Sequence, residues 1–222
     1  MASTAPSAGD TGRGVALRRG DPGRRALVVV LLAWVAYVIS QTLVVTGHLS
    51  EVVGVLIGLL LGAVGVAALL AAGRTTASCY LRRGRLSLRG GLALVPIVVV
   101  WPFVLATGEY TGPDVGGAAV GVFGSVAQEL FFRSALLPGL MLLTRPRSAL
   151  AIHTVAFGIW HGGALLAAPD IMAGAIAIIV VSLGAGYAWG WQTMHDRTVL
   201  WAMAHHSLLW IAGSFFDLSP PS

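Results

Sequence analysis

Lysine is absent from this 222-residue chain, cysteine occurs once, and its only formal charges are fourteen Arg and nine Asp or Glu. Soluble domains carry about 25% charged residues, whereas here the share is 10% against 56% apolar. So little charge excludes an ordinary water-soluble globule, a disordered chain and a fibrous repeat, and leaves a lipid bilayer as the solvent. The single Cys79 excludes an internal disulfide and a cysteine-based zinc cluster. A net charge of +5 would suit nucleic acid only if the basic residues formed one face of a folded surface.

What the chain does have is apolar runs. Seven are long enough to cross roughly 30 Å of hydrocarbon, at 26–46, 52–73, 91–107, 116–143, 149–168, 171–190 and 198–216. They predict an all-α, polytopic membrane protein with about seven transmembrane helices, multi-pass in the cell (plasma) membrane. Residues 1–25 read as a disordered basic tail, 26–107 as three N-terminal helices, and 108–222 as a core of four. The first run is too long for a cleaved signal and reads as a retained helix.

Assigning alternate loops to alternate sides puts Arg13, Arg18, Arg19, Arg24, Arg25, Arg74, Arg82, Arg83, Arg85, Arg89, Arg145, Arg147 and Arg197 on one face and no arginine on the other. By the positive-inside rule the N-terminus is cytoplasmic and the C-terminus outside. The lipid bilayer with its anionic headgroups then accounts for the basic residues, and no nucleic-acid partner is expected. Gly54, Gly58 and Gly62, with Gly186 and Gly190, recur at four-residue spacing and predict close helix packing within the chain, ahead of a dimer interface. Composition and spacing do not set the oligomeric state.

Two charges fall inside an apolar run, Glu129 and Arg133, four residues apart and so on one helix face. Burying either ion costs several kcal/mol, which makes an intramembrane ionisable group a functional hypothesis by default. The bland alternative is a mutually neutralising structural pair, and a buried ion pair is weak evidence for stability. Four histidines share the hydrocarbon zone: His153, His161, His205 and His206. At about 1.5 Å per residue, Glu129 lies roughly 21 Å from the cytoplasmic end of its run, His161 roughly 18 Å and His205 roughly 10 Å. A carboxylate, a guanidinium and imidazoles at comparable depth point to chemistry or to ion conduction. His153 reads as a core histidine.

These residues resemble the CPBP family, the CAAX proteases and bacteriocin-processing enzymes also called Abi, which includes the eukaryotic CAAX prenyl endopeptidase. The family's first motif, Glu-Glu-x-x-x-Arg, is met by Gln128-Glu129-Leu130-Phe131-Phe132-Arg133, and its second, Phe-x-x-x-His, by Phe157-Gly158-Ile159-Trp160-His161. A Gly-rich stretch from Leu183 to Gly190 and a histidine helix, Leu200 to His205, follow in the family's order. There are two departures. Gln128 stands where the family has its water-activating Glu, and Leu209 or Trp210 stands where it has Asn or Asp, so His205 and His206 compete as the motif histidine.

The resemblance implies an intramembrane endopeptidase. It would hydrolyse peptide bonds of membrane-associated proteins or peptides, prenylated CAAX-type or leader-bearing, with a water held between Glu and His. Since an amide takes no proton, Glu129 is expected to serve as the base, with His161 and His205 as the other catalytic residues. Gln128, Arg133, His206 and Phe157 would support them. Zinc on Glu129, His161 and His205 is the alternative, disfavoured because the ligands are spread over three helices; no cofactor is expected. One rival is a catalytically impaired scaffold, immunity or regulatory protein, motivated by Gln128. The other is a proton-coupled transporter, which lacks the internal repeat such proteins show.

Overall fold

The computed structural model describes residues 21–85, 87–91, 109–110, 112–163 and 171–217. Asp21 opens the first helix by accepting the Gly23 N–H at 2.7 Å, with Pro22 at the first helical position, where its missing N–H costs nothing. This helix, α1 (Pro22–Val45), ends at a left-handed glycine, Gly47. Ser50 caps α2 (Glu51–Ala71), which stops at Gly73, also left-handed. A short α3 (Leu88–Gly91) follows; the run expected at 91–107 lies otherwise outside the described residues.

Asp114 accepts the Gly117 N–H at 3.0 Å and starts α4 (Val115–Leu140). Next come α5 (Pro146–Trp160) with a tight 3-10 turn at His161–Gly163, then α6, and finally α7 (Leu200–Gly213). Helix α6 runs as Ile171–Val181, a wide π segment Ser182–Tyr187, and Ala188–Asp196. Glu109–Tyr110 pairs antiparallel with Phe216–Asp217, Glu109 opposite Asp217. Apart from this pair the described regular structure is helical.

Among the described residues three helices are long and apolar enough to cross a membrane by length and composition: Pro22–Val45, Glu51–Ala71 and Val115–Leu140. Of the runs expected at 149–168, 171–190 and 198–216, the described residues are mostly helical, in the shorter or interrupted α5, α6 and α7, while 164–168 lie outside the described residues. Large apolar side chains cover the outside: Leu32 is 65% exposed, Leu60 63% and Val155 61%. In water such a surface would aggregate; against lipid tails it is the stable arrangement. The arginine-bearing turns interlock at one end, where Val199 N–H donates to Tyr80 O at 3.0 Å and Thr198 Oγ1 to Arg82 O at 2.6 Å. Cys79 is buried there, and burial pushes its thiol up, away from the reactive thiolate.

The glycine stripes pack within the chain. A Cβ on Gly58 would sit 2.6 Å from Tyr37 Oη of α1, and one on Gly62 3.1 Å from Leu130 of α4. Gly186 and Gly190 likewise face Phe157 and Leu150 of α5. Gly58→Val is therefore expected to lower stability by about 1–3 kcal/mol through overpacking. An unchanged melting temperature would refute this close approach of α1 and α2.

Helix α4 is the centre of the bundle. Phe131 through Leu137 are all essentially inaccessible, so the helix has no outward face there. Its Leu130–Leu136 stretch is a π segment, in which the Leu137 N–H reaches Phe132 O five residues back. Pro138 follows, and a proline can donate nothing to the Ser134 carbonyl four residues earlier, which removes one bond that would hold the ordinary α pitch. An aromatic cluster fixes the widened helix: ring centroids lie 5.3 Å apart for Tyr37–Phe131, 4.9 Å for Phe132–Phe157 and 5.0 Å for Tyr37–Trp160.

Candidate active site

Glu129 is the last α-helical residue before the α4 π segment, and its side chain is fully buried. Arg133, one turn on, brings Nε to 3.0 Å from Glu129 Oε2, an ion pair without a straight hydrogen bond. The other carboxylate oxygen, Oε1, accepts from His206 Nδ1 of α7 at 3.0 Å. The pair proposed from sequence spacing is thus present, extended into a triplet by a histidine 77 positions away.

Arg133 ties the site to α6. Its Nη2 donates to Ala185 O at 2.9 Å, and Ala185 lies inside the second π segment. Two wide turns thus face each other, and the Ala185 carbonyl is available to an arginine side chain. π segments within α-helices are frequent at functional sites. The guanidinium also lies 4.4 Å from the centre of the Phe157 ring and 5.8 Å from Trp189, stacking that offsets part of its lost hydration. Phe157, expected as a supporting residue, holds this position.

His161 sits at the C-terminal end of α5, where Nδ1–H donates to Phe157 O at 2.9 Å. Phe157 and Trp160 flank its ring, each at 4.6 Å between centroids. It lies within electrostatic reach of His206 and Arg133. His205 is buried and in reach of Glu129 and Asp196, but the hydrogen bond to Glu129 comes from its neighbour His206. His153 is fully buried against Phe132 and Phe157, as a core histidine would be.

Gln128 points elsewhere. It helps line a cavity of about 690 Å³ walled by Tyr37 and Gln41 of α1, Gly121 and Gly124 of α4, Trp160 of α5 and Trp210 of α7, with Glu51 and Asp114 towards the end opposite the arginines. Its buried Oε1 has no hydrogen-bond partner among the described residues. Glu129 and Gln128 are therefore not interchangeable: the amide faces the cavity, while both carboxylate oxygens are engaged inside the helix bundle.

The zinc set considered from the sequence does not fit. Among the described residues no three His, Cys, Asp or Glu side chains converge as metal ligands, and both Glu129 oxygens already have cationic or N–H partners. Sequence reasoning missed Tyr37, whose hydroxyl-bearing ring lines the cavity, and Trp189, whose ring lies 4.8 Å from that of His206. Both are aromatic residues in apolar runs, and nothing in their spacing separates them from ordinary core positions.

Residues 113–211, which carry every residue of the Glu129 site, match the family model described as Type II CAAX prenyl endopeptidase Rce1-like. No curated protein and no solved structure matches the chain.

Proposed function

Residues 113–211 belong to the CAAX protease family, and on that premise we propose that this protein is an intramembrane endopeptidase hydrolysing peptide bonds of membrane-associated proteins or peptides. The observation that carries the reading is the buried triplet Arg133–Glu129–His206, in which two charges and an imidazole are held together at no solvent exposure of the carboxylate. Ions kept out of water cost several kcal/mol after relaxation, and a fold that maintains them deep in an apolar bundle uses them. The Glu129–His206 pair, with His161 in electrostatic reach, supplies the groups that hold and deprotonate water; Arg133 holds Glu129 in place, and Gln128 on the cavity supplies a donor for the oxyanion that forms at the attacked carbonyl. The substrates are prenylated CAAX-type or leader-bearing segments. The chain crosses the plasma membrane about seven times with its arginines in the cytoplasm.

A second reading is favoured by one specific observation. Gln128, the residue facing the cavity, cannot accept a proton, so the same architecture suits a non-catalytic scaffold that binds a membrane peptide without cutting it.

Purified protein reconstituted in liposomes and given farnesylated CAAX peptides and unprenylated leader peptides, with products read by mass, separates the two. Wild type is expected to cleave; Glu129→Gln and His161→Ala are expected to lose about 100-fold or more in kcat. Cleavage only by Gln128→Glu would establish the scaffold reading. Chelator is expected to leave the wild-type rate unchanged, and a loss restored by zinc would put a metal back in the mechanism.

A further inference from the structure

The two carboxylate oxygens of Glu129 are both occupied, and its side chain has no solvent exposure, whereas the His206 side chain retains 11%. The imidazole is the member of the pair that reaches open space. Trp210, one helical turn further along α7 and on the same face, lines the cavity, as does Gln128, the residue next to Glu129. His206 thus lies one helical turn along α7 from the Trp210 wall of that cavity.

A carboxylate oxygen 3.0 Å from Nδ1 requires the proton on Nδ1, because the carboxylate only accepts. The neutral ring then carries its lone pair on Nε2. Trp189 packs against the ring at 4.8 Å and limits its rotation. The arrangement is that of a carboxylate fixing the tautomer and orientation of a histidine base, and Arg133 in turn fixes the carboxylate. His161 is held in the same tautomer by Phe157 O.

We propose that His206 Nε2, and not Glu129, is the general base for water, with Glu129 as its positioning residue; this rests on the protease reading above. Water oxygen attacks the scissile carbonyl carbon while its proton passes to Nε2. The C–N bond then breaks as the imidazolium returns that proton to the leaving amine, giving a carboxylic acid and an amine with no redox change. The missing acid at position 128 is made good by a histidine from another helix.

His206→Asn tests this, because the Asn amide nitrogen takes the place of Nδ1 and still donates to Glu129, but no lone pair is left where Nε2 was. On a farnesylated CAAX peptide the variant is expected to lose about 100-fold or more in kcat, the usual worth of a general base, with KM within about threefold. Glu129→Gln, whose amide can donate to Nδ1 and drive the ring proton to Nε2, is expected to lose a similar factor alone. It should lose almost nothing further in the His206→Asn background, since residues acting as one unit are non-additive. A purely structural Glu129 would lower activity in both backgrounds. If wild type and His206→Asn cleave at similar rates, the base assignment falls and the protease reading stands. If wild type does not cleave at all, both fall.

Discussion

Replacing Arg133 with Met is expected to destabilise the protein by about 3–5 kcal/mol, the cost of leaving a buried ion without its partner. At about 2–4 °C per kcal/mol for a chain of this size, the melting temperature of the detergent-solubilised protein should fall on the order of 10 °C. Three contacts vanish together: the ion pair with Glu129, the bond from Nη2 to Ala185 O, and the stacking on Phe157. The first dominates, because the carboxylate remains fully buried with only His206 to face it. Lysine is no remedy, since a point charge cannot reach Glu129 and Ala185 at once or stack as a plane. Removing both charges, in Glu129→Gln with Arg133→Met, should cost less than Arg133→Met alone. Equal losses would show that the abandoned charge is not the cause.

That prediction rests on two residues that stand out in the bare sequence, and the reason is the solvent. In a chain so poor in charge, an ionised side chain within an apolar run has to be paired, and i, i+4 spacing on a helix makes the partner legible. The helical class and the apolar runs were legible for the same reason, since lipid leaves the backbone few ways to satisfy its own hydrogen bonds. Other features were not. His205 and His206 are adjacent on one helix, so their side chains point about 100° apart, and which one meets Glu129 depends on the rotation of α7 against α4. That rotation is set by packing, not by spacing. The π segments are equally hidden: Pro138 and the glycines at 184 and 186 permit a wide turn without requiring one. From the sequence, Glu129 is expected to take over the role that Gln128 cannot fill, but the two adjacent side chains serve different spaces, one the cavity and one the ion triplet.

Rotation and spacing of α4 against α7 should therefore control the site from a distance, and Gly121 is the place to test it. A Cβ there would lie 2.6–2.8 Å from the Trp210 ring and its Cβ, with no slack on either side. The backbones of α4 and α7 also meet at their ends, where Asp114 N–H donates to Ser214 O at 2.9 Å, so the helices cannot simply slide apart. Gly121→Val is expected to cost about 1–3 kcal/mol by overpacking and to push α7 outwards at Trp210, one turn from His206. Since a misplacement near 1 Å can cost about 100-fold in rate, kcat on a farnesylated CAAX peptide should fall by about that factor although residue 121 touches neither Glu129 nor His206. Gly124→Ala is the matched control: its Cβ would meet only Val55 at an ordinary 3.6 Å. There the gain in helix propensity, up to about 1 kcal/mol, should leave stability equal or higher and the rate unchanged. If both variants keep the wild-type rate, the contact between Glu129 and His206 does not depend on how closely α4 and α7 approach. If both lose it, the cavity wall itself matters more than that contact.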